Sequence, residues 1–198
     1  MSSNYIINNL VNSLQKLPSI GQRTAKRIAL MMLQDKNLLI KPLISSLEEA
    51  YNKINKCEIC GNFTSDKICN ICSDSKRDKT TICIVESISD LWAIENINTY
   101  NGIYHILDGT LSAIEGRGEE VLKIDQLKQR IIQNGVKEVI VATNPTIEGQ
   151  TTAFYIVSHL EEFNIKITQL AVGLPMGSEL NYLDDNTLNI AFKNKMEF

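Results

Sequence analysis

Cys57-Glu-Ile-Cys60-Gly-Asn-Phe-Thr-Ser-Asp-Lys-Ile-Cys69-Asn-Ile-Cys72 holds four of the five cysteines of the chain. The pattern is Cys-x2-Cys, eight residues, Cys-x2-Cys. Each pair offers two thiolates from one tight turn, and four thiolates fill the tetrahedral shell that zinc prefers. With every position taken by protein, no place is left for water or substrate, so a zinc ion held by Cys57, Cys60, Cys69 and Cys72 is expected to be structural, one per chain. The competing readings are two disulfides or four unrelated buried thiols.

The stretch divides the chain by charge. Residues 1–56 carry eight Lys+Arg against three Asp+Glu, residues 57–80 carry four of each, and residues 81–198 carry eight against sixteen. A net charge of −3 over 198 residues argues against indiscriminate nucleic-acid binding, but a head at +5 suits a polyanion and a body at −8 suits a basic protein. With 43% apolar and 22% charged residues the composition is globular. No apolar run approaches a membrane span and the N-terminus lacks a signal layout, so a cytoplasmic location with no membrane partner is expected. Such a reducing compartment suits zinc thiolates over disulfides. Cys83, in Thr-Ile-Cys-Ile-Val, reads as a small buried strand residue, with a reactive thiol as the alternative.

Before the cysteines, Ile6, Leu10, Val11 and Leu14 recur at helical spacing over 5–16, and further helices are predicted over 22–33 and from Pro42 to Ile54. After them, 73–80 reads as a polar linker. Strands are predicted over 81–86, 103–107, 138–143 and 166–172, and helices over 90–97, 124–133 and 151–163. Residues 109–118 read as a loop and 188–192 as a short helical stretch in the tail. The β-α-β-α-β order implies an α/β fold with a mostly parallel sheet covered by helices. The expected division is a helical hairpin domain over 1–56, the four-cysteine zinc knuckle over 57–72, the linker over 73–80, the sheet domain over 81–178 and a C-terminal segment over 179–198.

Leu17-Pro-Ser-Ile-Gly21 between two helices is a phosphate-binding layout. Gly21 permits a tight turn, and the following helix presents unpaired N–H groups at its positive end. Arg23 and Arg27 share a helix face and Lys26 flanks them, so Gly21, Arg23, Lys26 and Arg27 are candidate DNA-binding residues; the alternative is an ordinary hairpin with a solvated basic face. Ile28-Ala-Leu-Met-Met-Leu33 is apolar all round, and a head this small has little with which to enclose it, which suggests that two heads pack together. The stretch Leu17–Arg27 resembles a helix–hairpin–helix motif, usually written with glycine where this chain has Ser19. Joined to a four-cysteine knuckle, it closely resembles the RecR family of bacterial recombination mediators over essentially the whole chain.

Ile84-Val-Glu-Ser-Ile-Ser-Asp90 and Val139-Ile-Val-Ala-Thr-Asn-Pro-Thr-Ile-Glu-Gly149 each place acids just past a strand end, where ligands bind in parallel sheets. The pair resembles the Toprim domain, whose enzymes carry Glu after the first strand and Asp-x-Asp after a later one. Here Glu86 is present, but the Asp-x-Asp positions are Asn144 and Thr146, too poor in charge for magnesium. His105, in Tyr104–Ser112, reads as a satisfied strand histidine, with a general base as the alternative.

The RecR resemblance implies a non-enzymatic mediator of recombinational DNA repair. It would bind single-stranded and duplex DNA and, with RecO-like and RecF-like proteins, load RecA onto strands covered by single-strand-binding protein. The tail, Thr187–Phe198, would exchange between subunits in a dimer or ring-shaped homotetramer. Glu86, Asp90 and Glu148 become candidate partner-binding residues, with no catalytic residue. The rival readings are a magnesium-dependent Toprim nuclease or topoisomerase-like enzyme, and a zinc-stabilised adaptor without DNA contact.

Overall fold

The β-branched run that begins at Asp78 becomes the centre of a parallel sheet in the computed structural model, which describes residues 3–112, 116–171, 173–174, 177–193 and 195. The chain forms two compact units, residues 1–54 and 55–198.

The first unit is helical: α1 (Ser3–Gln15), α2 (Gln22–Gln34), a five-residue π-turn over Lys36–Ile40 and α3 (Lys41–Lys53). The π-turn was not legible in the sequence; Asp35 caps it by accepting from Leu38 N at 3.0 Å. The core of the unit is small. Val11, Ala25 and Ala29 are buried, with Ile7, Leu10, Leu14 and Ile20 packed on them. Leu30, Met31, Leu38, Leu47 and Tyr51 stand more than half exposed.

The second unit opens with a short hairpin, β1 (Asn55–Lys56) and β2 (Phe63–Thr64), and one turn of helix, α4 (Asn70–Ser73). Then follow β3 (Asp78–Val85), α5 (Ile88–Asn96), β4 (Gly102–Ile106), α6 (Ile124–Asn134), β5 (Glu138–Ala142), α7 (Ile147–Leu160), β6 (Lys166–Gln169) and α8 (Asp185–Lys193). The sheet order is β4-β3-β5-β6 with every pairing parallel. Side chains alternate between two cores, as the period of a strand demands. Ile82, Ile84, Val139 and Val141 face Leu127, Ile131, Ile156 and Leu160 of α6 and α7. Cys83, Val85, Tyr104 and Ile106 face Leu91 of α5 and the four knuckle cysteines. The knuckle is therefore a core layer of the sheet. Cys83 is the buried strand residue expected, its thiol pushed up to about 12 by burial.

Several boundaries moved, and three of them are informative. β3 starts at Asp78, inside the expected linker, because Asp78 accepts from Thr80 and Thr81 and starts the strand with polar residues. α7 starts at Ile147, four residues early, because Thr146 caps it by accepting from Gly149 N at 3.1 Å. β6 ends at Gln169; Val172, at the end of the expected strand, lies outside the described residues. So do Ala113–Glu115 of the expected loop, Pro175 and Met176, and Asn194 and Met196–Phe198 of the tail.

β4 is an edge strand with three of its outward groups occupied. Gly102 O accepts from Arg77 at 3.3 Å, Tyr104 O accepts from Arg130 at 2.8 Å, and Ile106 N donates to Cys60 O at 3.1 Å. Such cover blunts the edge against pairing with another strand. On the same strand His105 is buried, with Nε2 donating to Leu122 O at 3.2 Å and Nδ1 facing the guanidinium of Arg130 at 3.4 Å. It is the satisfied strand histidine expected. Burial first, then the charges of Arg130 and Lys123, push it down to about 4 against the opposing pull of Asp108.

Because the folded pKa lies below the unfolded value, His105 supports the fold above about pH 6.5 and withdraws that support as pH falls toward 4. Denaturant unfolding in zinc-saturated buffer should therefore lose on the order of 2 kcal/mol between pH 6.5 and 5 from this residue. The slope should be shallower by that amount in His105→Gln; equal slopes would remove His105 from the acid response.

Candidate metal centre and nucleic-acid interface

The Sγ atoms of Cys57, Cys60, Cys69 and Cys72 lie within 4.8 Å of one another and all four residues are buried. Tetrahedral zinc with Zn–S near 2.3 Å needs sulfurs about 3.8 Å apart. Cys60 and Cys69 stand at 3.6 Å, far outside disulfide length, and all five cysteines are free thiols. Backbone amides already point at the sulfurs: Asn62 N donates to Cys60 at 3.5 Å and Cys69 N to Cys57 at 3.3 Å. Contact with Cys60 and then Cys72 pulls the Cys69 thiol down. Contact with Cys69 pushes Cys60 up, and contact with Cys60 and then Cys69 raises Cys72. The site fits a structural zinc, and its chemistry is to cross-link the hairpin and α4 beneath the sheet.

At the hairpin of the first unit, the left-handed residue is Ser19, at φ 62°, and not Gly21, which has φ −78°. The tight turn expected at Gly21 is thus made two residues earlier, at a position where a side chain costs roughly 1 kcal/mol. Gly21 serves differently. A Cβ there would meet nothing within 4 Å, so the bare N-cap leaves the amino end of α2 open. No side chain caps that end, and its first-turn amides lack helical partners. Arg23, Lys26 and Arg27 are all exposed beside it, and among the described residues no carboxylate pairs with them.

At the carboxyl edge of the sheet the order reverses between β3 and β5, the switch point at which open α/β sheets bind ligands. Glu86 follows β3 and Asn144 follows β5. Glu86 Oε1 accepts from Asn144 N and Oε2 from Asn144 Nδ2, both at 2.7 Å. A neutral amide thus occupies the carboxylate that a Toprim enzyme offers to its metal. Gly149 lets the start of α7 close over this bond; a Cβ there would come within 2.1 Å of Asn144 O and 2.7 Å of Glu86. The sequence signalled both residues only as departures or spacers.

The other two acids have different surroundings. Asp90 closes a capping box at α5, accepting from Ser87 N at 2.9 Å and Ser87 Oγ at 2.6 Å. Glu86, Asp90 and Asn144 line one open cleft of about 670 Å³ together with Lys56, Asp108 and Arg117. Glu148, in the first turn of α7, is half-buried and is not among the residues lining it.

Zinc removal should be felt beyond the knuckle, because the cysteines form part of the core under Val85, Leu91 and Tyr104. A strong chelator should release about one zinc per chain and abolish cooperative unfolding of the second unit in calorimetry. A chelated protein with an unchanged transition would refute the assignment.

Four segments of the chain match known families. Residues 7–51 match the helix-hairpin-helix family of RecR, residues 54–74 the RecR zinc finger domain built on four cysteines, residues 80–171 the Toprim domain and residues 173–195 the RecR C-terminal family. The chain is 45% identical over 192 residues to the recombination protein RecR of Rickettsia massiliae, covering 97% of this chain and 96% of that one. It is 46% identical, with the same coverage, to the protein of that name from Rickettsia rickettsii strain Sheila Smith. With that of Rickettsia bellii it shares 43% over 196 residues, 99% of this chain and 98% of the other. A zinc-binding knuckle set into a Toprim sheet, behind a helix–hairpin–helix head, places this chain in the RecR family of recombination proteins.

Proposed function

We propose that the protein is a non-enzymatic mediator of recombinational DNA repair, acting in the cytoplasm. It grips the DNA backbone through Gly21, Arg23, Lys26 and Arg27, and works with RecO-like and RecF-like proteins to load RecA onto single strands covered by single-strand-binding protein. The observation that carries this reading is the uncapped amino end of α2 with three exposed cations beside it that pair with no carboxylate among the described residues. Backbone amides and cations recognise phosphate without reading sequence. One head offers few charges, so useful affinity comes from several heads held together.

Self-association is supported by the exposed apolar side chains of the head, among them Leu30, Met31, Leu47 and Tyr51, for which its own small core has no room. Exposed Leu180, Tyr182 and Phe192 near the tail support a second contact, which would join dimers into a ring. The cleft holding Glu86 and Asp90 is the surface offered to a basic partner protein, with Glu148 at its margin. The bond from Asn144 to Glu86 favours this role over magnesium chemistry, since the carboxylate most needed by a metal is already committed.

If a bound assembly neutralises about six phosphates, the log–log salt slope on duplex DNA should lie near −5. Arg23→Ala with Arg27→Ala should weaken binding at least tenfold on all sequences alike and flatten the slope by about two for each engaged head. Unchanged affinity would overturn the interface. Incubation of the purified protein with supercoiled and single-stranded DNA plus magnesium or manganese should leave both intact; turnover that Glu86→Gln abolishes would instead establish a Toprim enzyme.

A further inference from the structure

Arg130 is the one buried cationic side chain among the described residues, 5% exposed on α6. A buried guanidinium is costly unless its charge is met and its N–H groups are bonded. Its hydrogen bonds do not account for it. Nη1 donates to Tyr104 O at 2.8 Å and lies 3.4 Å from His105 Nδ1, both neutral partners. Nε and Nη2 are buried with no partner among the described residues, and no carboxylate there pairs with the side chain.

The negative charge lies along the same outward edge of β4. Arg130 and Cys72 line the same cavity of about 250 Å³. The strand to which Arg130 bonds is also bonded to the knuckle, through Ile106 N and Cys60 O. Gln126, one turn earlier on α6, donates to Glu58 O between the first two cysteines at 2.9 Å. Four thiolates around a divalent zinc carry a net charge of about −2 in a buried place. Burial alone works against the charge of Arg130, and the four cysteines are the groups that favour it.

We infer that Arg130 is the counter-charge of the zinc–tetrathiolate centre, a positioning residue that holds the metal site against α6 from outside the knuckle. It touches no zinc ligand position and replaces none. Its effect is to lower the cost of four thiolates in the core and so to raise zinc affinity, as outer partners of metal ligands do. The same pairing explains why a cation is tolerated on the inner face of α6, beside Leu127 and Ile131.

Zinc affinity measured by competition with a chromophoric chelator should fall 10- to 100-fold in Arg130→Met, which keeps the length of the side chain and loses its charge. Arg130→Lys should recover most of it. The pH at which half the zinc is released should rise in Arg130→Met, because thiolates without their counter-charge take up protons more readily. The cobalt-substituted protein should show a shifted sulfur-to-metal charge-transfer band. Leu127→Ala loosens α6 without touching charge and should leave affinity within about twofold, given that 10- to 100-fold is the scale of true outer-partner losses. Wild-type affinity and release profile in Arg130→Met would overturn the inference. So would equal losses in Arg130→Lys and Arg130→Met, or a loss in Leu127→Ala as large as theirs. Should Arg130→Met fail to fold, Arg130→Gln against Arg130→Lys gives the same contrast, and equal zinc affinity in those two would be decisive against it.

Discussion

A parallel sheet has two apolar faces and must bury both, and this chain has too few helices to do it. α6 and α7 cover one face, whereas α5 alone is left for the other. The cysteine knuckle fills the gap, its four sulfurs and Ile71 packing against Cys83, Val85, Tyr104 and Ile106. The zinc centre is thus as much a part of the sheet core as a helix would be. The same knuckle blocks the β4 edge through Cys60 O, so that face cover and edge cover come from one element. The packing of one face of the sheet rests on a metal ligated upstream of it.

What could be read from the sequence was what is encoded locally. Cys-x2-Cys pairs specify zinc within sixteen residues, and the runs at Ile82–Val85 and Val139–Val141 declare strands buried on both sides. Pro18 and Gly21 marked the head's turn, although the strain falls on Ser19. Two of the misplaced boundaries share a cause: Asp78 and Thr146 are polar residues that open elements by bonding to their own backbones, and a search for apolar periodicity passes over them.

The site was harder to read because its key bond spans the sheet. Glu86 and Asn144 are 58 positions apart and meet only because β3 and β5 are neighbours. The missing aspartates were visible as an absence, but the replacement of a metal contact by an amide–carboxylate bond was not. Arg130 was invisible for another reason. On an amphipathic helix an arginine reads as solvent-facing, and only the fold shows that it points inward at the edge of β4. Asp90 shows the reverse case, an acid at a promising strand end whose carboxylate is committed to capping its own helix.

The clasp between Asn144 and Glu86 has a bearing on how this domain could change over time. Exchanging Asn144 for aspartate would set one carboxylate against another at hydrogen-bond distance and remove one of the two donors that hold the loop, leaving only the backbone N–H. Gly149 leaves no slack into which the loop could retreat. A denser cluster of acids at this edge is opposed by the loop itself: an aspartate at 144 would bring two like charges together with no cation between them.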